Sequence, residues 1–119
     1  MPYSVAAKNK MLEALGVATL SLHSANPGGT GTNELVGGTP AYGRKPVAAA
    51  TAAANGSKLV SGTVTFDIPA GSAVAFIGQW AGDGTWLGYD AADAVENYVA
   101  QGTYHVTSTT DDLNATANA

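Results

Sequence analysis

Three carboxylates, Asp90, Asp93 and Glu96, recur at every third residue, a spacing that puts them near one face of a helical turn. Paired carboxylates at close range are the machinery of glycoside hydrolysis, in which an apolar pocket keeps one of them protonated. The neighbours here are Ala, Val and Asn, which build no such pocket, so a solvated acidic loop is the simpler expectation. A weak calcium site is the other chemistry these groups allow. His23 and His105 are the only histidines, and both fall on the polar side of an alternating segment, as solvent-facing spacers would. Two histidines with no third ligand nearby make a poor zinc site, because catalytic zinc normally takes three protein ligands. No Gly-x-Ser-x-Gly elbow is present for serine hydrolysis.

Residues 38–45, Gly-Thr-Pro-Ala-Tyr-Gly-Arg-Lys, imitate a phosphate-binding loop. The lysine stands one position late, no Ser or Thr follows it, and Pro40 removes an amide that would hold phosphate. The aromatics are more informative. Trp80 continues the apolar row of a strand and reads as core, while Trp86 and Tyr89 lie just past a turn, where exposed rings become interface anchors. Thus no catalytic, metal or cofactor residues are assigned. Asn55 and Asn114 head glycosylation sequons, which carry no weight without a secretion signal.

The frame that must position these residues is small. The chain has 119 residues, enough for one domain, 1–119. Of its 54 apolar residues, 23 are alanine and only 22 are Leu, Ile, Val or Phe. The net charge of −4 is too small to hold such a chain unfolded, so a fold with a thin core is expected, one that burial against a neighbour would help. There is no cysteine, hence no disulfide or thiol nucleophile. The acidic balance without a basic cluster argues against nucleic acid, and no apolar run approaches a membrane span. The start, Met-Pro-Tyr-Ser-Val, lacks the pattern of a secretion signal.

Residues 4–15 form the one good helix candidate, with Ser4 as cap, Gly16 as stop, and Val5, Met11, Leu12 and Leu15 as a narrow apolar stripe. From residue 18 the period becomes two. Residues 18–23 and 60–68 alternate strictly, as half-buried antiparallel strands do. Residues 73–80 are apolar on both sides, as in a central strand, with Val74, Phe76 and Trp80 in one row. Asp83-Gly84 turns the chain into 85–89, and 103–109 forms a last strand with Tyr104 and Val106 inward. Residues 46–53 make a weaker strand candidate, alanine being a poor strand former. Residues 26–43, with six glycines and two prolines, form a loop too long to be a mere connection. Residues 90–97 suggest a helical turn between strands, and 111–119 a tail. The sum is a mainly β fold: an antiparallel β-sandwich over 18–110, jelly-roll or immunoglobulin-like, with one short N-terminal helix.

Residues 20–34, Leu-Ser-Leu-His-Ser-Ala-Asn-Pro-Gly-Gly-Thr-Gly-Thr-Asn-Glu, resemble the signature of a family of small virion proteins from tailed bacteriophages, many of actinobacterial hosts. That signature reads Leu-x-Leu-His-Thr-Ala-Asp-Pro-Gly, then Gly-x-Asn-Glu, a Gly-Gly pair and Tyr-x-Arg. Gly37-Gly38 and Tyr42-Gly43-Arg44 stand at the matching places, as do residues 66–71, 78–80 and 101–104 further on. Ser24, Asn26 and Lys45 depart from the pattern.

The resemblance spans most of the chain and implies a head-fibre, tail-fibre or minor capsid protein without catalytic residues. The expected function is accordingly a non-enzymatic capsid decoration protein in the virion, assembled in the host cytoplasm, with a tail-fibre or tail-tip component as the alternative. A carbohydrate-binding or hydrolytic module using Trp86, Tyr89 and the acidic loop is the rival from another class. The expected partners are copies of itself, such as a trimer, and the major capsid protein or other virion proteins. The expected contacts lie at Val5, Met11, Leu12, Leu15, Asn26, Pro27, Asn33, Glu34, Tyr42, Arg44, Trp86 and Tyr89.

Overall fold

A computed structural model describes residues 4–47, 57–61, 63–106 and 109–112, without the side chains of Leu15, 57–61 and 109–112. Helix α1 spans Val5–Leu15; the Ser4 hydroxyl accepts from the Ala7 amide at 3.1 Å, and Gly16 closes the helix in the left-handed conformation. Strands follow at β1 (Val17–His23), β2 (Lys45–Pro46), β3 (Ser57–Ser61), β4 (Val64–Ile68), β5 (Ser72–Ala81), β6 (Trp86–Tyr98), β7 (Gly102–Val106) and β8 (Thr109–Asp112). The fold is mainly β and antiparallel with one short N-terminal helix, a β-sandwich-like arrangement.

One layer is the sheet β2-β1-β5-β6. Against it lies the β4–β7 pair, whose register, Val64 opposite Val106 to Ile68 opposite Gly102, carries on into β3–β8 after a one-residue shift. The pairs nest: β3 with β8, β4 with β7, β5 with β6. The nested strands are those of one long hairpin doubled over where 69–71 and 99–101 pass between the layers. The core between the layers is Leu20 and Leu22 from β1, Val74 from β5, Val64, Phe66 and Ile68 from β4, and Val106 from β7, with Leu35 closing it from the long loop. Alternation in β1 and β4 is therefore what builds the interior, one apolar side chain every second residue.

Four expectations need correction. Residues 90–97 form no helical turn; they belong to β6, which extends through Tyr98 because it pairs with β5 along both ends. The apolar row of β5 changes sides: Val74 points into the core, whereas Phe76 lies opposite His23 on the other face. The register shift between Val74 and Phe76 accompanies that change. The expected last strand is two strands, β7 and β8, and β8 takes in Asp111 and Asp112. Among the described side chains of the α1 stripe only Leu12 is fully buried, while Val5 stays half exposed; α1 lies against β3. Residues 48–53 of the weak strand candidate, Asn55, and the tail from 113 onward lie outside the described residues.

Candidate functional site

The side chains that the sequence left facing solvent on β1 are sealed instead. Leu20 and Leu22 point into the sandwich, so Ser21 and His23 point to the opposite side of the sheet, and both are 0 % exposed. Residues 26–34 cover them. Pro27 is buried, and its carbonyl accepts from the amides of Gly31 and Thr32 and from the Thr32 hydroxyl, which curls the segment into a tight turn over the sheet. The Asn26 carboxamide accepts from the Gly28 amide and donates to the Tyr89 hydroxyl on β6. Asn33, in the left-handed conformation, donates from its side chain to the Asn26 carbonyl. Three glycines thus do not make this segment loose; its polar side chains fasten it.

Beneath the turn lies an ordered polar chain. His23 Nδ1 is 2.7 Å from the Thr32 carbonyl oxygen, which can only accept, so Nδ1 carries the proton and Nε2 of the neutral ring is an acceptor. The Ser21 hydroxyl, 2.7 Å away, donates to Nε2 and accepts from the Trp80 indole N–H at 2.8 Å. Every proton in the chain Trp80–Ser21–His23–Thr32 has one place to go. Burial holds the His23 pKa below its ordinary value; the Thr32 carbonyl and Glu34 oppose this weakly, and Arg44 adds to it. Trp86 packs edge-on against His23 and Trp80 at centroid distances of 5.4 and 4.8 Å, and its N–H donates to the Gly28 carbonyl. It occupies a slot that only glycines leave open. A Cβ on Gly78 would stand 2.6 Å from both Ser21 Oγ and the Trp86 ring, and one on Gly31 2.8 Å from Trp86.

The second half of the loop mends the edge of β1. β2 pairs with β1 only at Thr19 and Leu20. Beyond it the Leu22 amide donates to the Tyr42 hydroxyl at 2.9 Å, and the Leu22 carbonyl accepts from the Leu35 amide. Tyr42 stacks on Phe66 of the core and passes its own proton to Glu34 at 2.8 Å. Its phenol is pushed well up, chiefly by burial. Glu34 in turn receives Arg44 through both carboxylate oxygens, and the Arg44 guanidinium lies 3.7 Å over the Trp80 ring. A further tie holds the far end, where the Gln101 side chain accepts from the Thr39 amide and donates to the Pro40 carbonyl.

Ser21 and His23 have the spacing of a nucleophile and its base, a pair that a search for the nucleophile elbow does not find. The signal available was Ser-x-His on one face of a strand. Both groups are closed off, however, by Gly78, Trp86 and the loop, with no room for a reacting carbonyl beside Ser21 Oγ. The arrangement can order a loop; it cannot reach a substrate as it stands.

Of the residues expected at a contact surface, Asn26, Pro27, Asn33, Glu34, Tyr42, Arg44 and Trp86 are brought together, but by internal bonds to one another and to the sheet. Trp86 is half-buried rather than free. Tyr89 is 38 % exposed and packs edge-on against Phe76. Met11 is half-buried on α1, and the side chain of Leu15 lies outside the described ones. The most exposed apolar residues, Val36 and Val99, were not singled out by the sequence. His105 lies apart on β7, its Nδ1 2.8 Å from the Thr65 hydroxyl. Among the described residues no three of His, Cys, Asp and Glu converge as metal ligands, and no helix is long and apolar enough to cross a membrane. Comparisons with protein-family models, curated proteins and solved structures gave no match.

Proposed function

We propose that this chain is a non-enzymatic structural protein of a tailed-bacteriophage virion, decorating the capsid surface as a minor capsid protein. One observation carries the reading: the residues of the resemblance converge on a single task. Leu20 and Leu22 build the core; His23, Glu34, Tyr42, Arg44 and Trp80 interlock to fix the long loop rigidly on the sheet. A signature spent on holding a loop in place suits a surface that must be presented, not a reaction that must be run. The carboxylates of the hydrolytic rival, Asp90, Asp93 and Glu96, lie exposed along β6 and not in the apolar pocket such chemistry needs. The rings of the carbohydrate-binding rival are already engaged, Trp86 edge-on with His23 and Trp80 and Tyr89 edge-on with Phe76.

The test is to purify particles and count this chain against the major capsid protein by quantitative mass spectrometry. Copies on the scale of the capsid lattice support the reading. A handful per particle moves the chain to the tail, and its absence from particles refutes it.

A further inference from the structure

β6 is the outermost strand of the four-stranded sheet. Among the described residues it is paired along one side only, to β5, so the amides and carbonyls of its other side meet solvent. Sheet edges of this length are normally blunted. The opposite edge is: β2 is two residues long, carries Lys45 and Pro46, and hands the rest of β1 to the Tyr42 hydroxyl. β6 is interrupted at two places, where residues 92–95 stand opposite Ala75 alone and where Leu87 is left over between the Gly88–Gln79 and Trp86–Trp80 pairs; pairing is regular from 88 to 91 and from 96 to 98.

The side chains along this edge state what would complement it. Asp90 and Glu96 lie opposite Ile77 and Val74, hence on the side of the sheet that faces β4–β7. There they overhang β7. Tyr104 of β7 feels the charges of Asp93 and Glu96, and Tyr98 that of Glu96, each phenol being raised by burial first and by these carboxylates second. All three carboxylates are exposed, and the Arg44–Glu34 ion pair lies near the other edge. Carboxylates beside tyrosine rings, with no cation among them, receive lysine or arginine side chains. Val95, 60 % exposed, and Tyr89 add apolar contact. A second copy fits badly. Pairing with a second copy along this edge would bring the same three carboxylates against their own kind, and like charges facing one another are destabilising.

We propose that the outer edge of β6 accepts an extended, lysine- or arginine-rich segment of a different protein as an added strand, backbone bonds supplying attachment and Asp90, Asp93 and Glu96 supplying selection. This does not depend on the virion reading. The test uses isotopically labelled full-length chain and a short capped peptide of alternating lysine and threonine. Amide exchange in β6 should slow at the positions that β5 leaves unbonded. Asp90→Asn, Asp93→Asn and Glu96→Gln combined should weaken binding about tenfold, as three partly exposed charge pairs together allow. These nearly isosteric changes are on the surface, and the same spectra report whether the variant is folded. The glutamate–threonine peptide, and the lysine peptide N-methylated at alternate residues, should both fail to protect β6. Three results overturn the proposal: no protection of β6, equal binding of the N-methylated peptide, or β6 protection that rises with protein concentration and needs no peptide.

Discussion

Acidification should loosen this protein through His23. The folded chain holds His23 neutral: Nδ1–H is committed to the Thr32 carbonyl and Nε2 accepts from Ser21. A second proton on Nε2 would force the Ser21 hydroxyl to turn its own proton away while still accepting from Trp80. Ser21 is fully buried, and an orphaned buried donor costs about 1–3 kcal/mol. The pKa of His23 is therefore held below 6.5 in the folded state, by burial above all. The unfolded chain takes up that proton near 6.5 and the folded chain does not, so stability falls as pH falls. The slope approaches about 1.4 kcal/mol per pH unit below 6.5, until the folded-state pKa is reached. Down to about pH 5 this one group removes at most about 2 kcal/mol, a sizeable part of an ordinary domain's 5–15. Asp83, held low by its hydrogen bonds to Thr85, titrates beneath that window. Urea unfolding followed by tryptophan fluorescence, stepped through the window, reads the slope. His23→Gln should be less stable at neutral pH yet nearly flat across the window, and His105→Gln should retain the slope. An equal slope with and without His23, or a gain in stability on acidification, refutes the proton assignment.

Tyr42→Phe should cost about 1–3 kcal/mol in the same urea experiment, because it leaves the Leu22 amide without its acceptor beneath the loop. Arg44→Ala should cost less than about 1 kcal/mol, since its pair with Glu34 is exposed on the arginine side, yet it should shift the emission of Trp80. Gly78→Ala should destabilise by about 1–3 kcal/mol through overpacking against Ser21 and Trp86, whereas Gly29→Ala, with nothing near its Cβ, should be close to neutral. If the chain assembles with copies of itself, as its thin core leads one to expect, dilution should lower its melting temperature; a monomer by sedimentation whose melting temperature ignores concentration speaks against that expectation.

Period-two alternation was enough to place β1, β4 and β7, because each buries one face against the other layer, and β5 was legible because it is apolar on both sides. It misled about the opposite face of β1. Alternation separates apolar from polar positions, and polar is equated with solvent only by habit; here Ser21 and His23 are polar and fully buried because residues 26–34 lie over them. β6 was half missed for another reason. Its residues 90–97 are, apart from Val95, alanines, acids and an asparagine with poor strand preference, and they are extended because β5 offers a ladder, an influence no local window contains. The site was still less legible. Ser21 and Trp80 are 59 residues apart, Asn26 and Tyr89 63 apart, and nothing in either neighbourhood names the other. The usable hint was a pairing of types: glycines at 31 and 78, each flush against a tryptophan.

That hint bears on how so small an apolar interior suffices. Among the described residues the core between the layers holds eight buried side chains, with one aromatic, Phe66. A chain with 23 alanines was expected to find its missing burial against a neighbour. Part of it is found within the chain. Trp80, Trp86 and His23 make a second interior on the outer face of the sheet, and the loop that encloses them is fixed by hydrogen bonds instead of aliphatic bulk. Such an interior depends on complete satisfaction of its polar groups, since any one left unpaired costs about as much as a hydrogen bond contributes or more. The loop is long for this reason: in eighteen residues it must cap the Ser21–His23 chain, replace the missing length of β2 through Tyr42, and reach Gln101 at the far end of the sandwich.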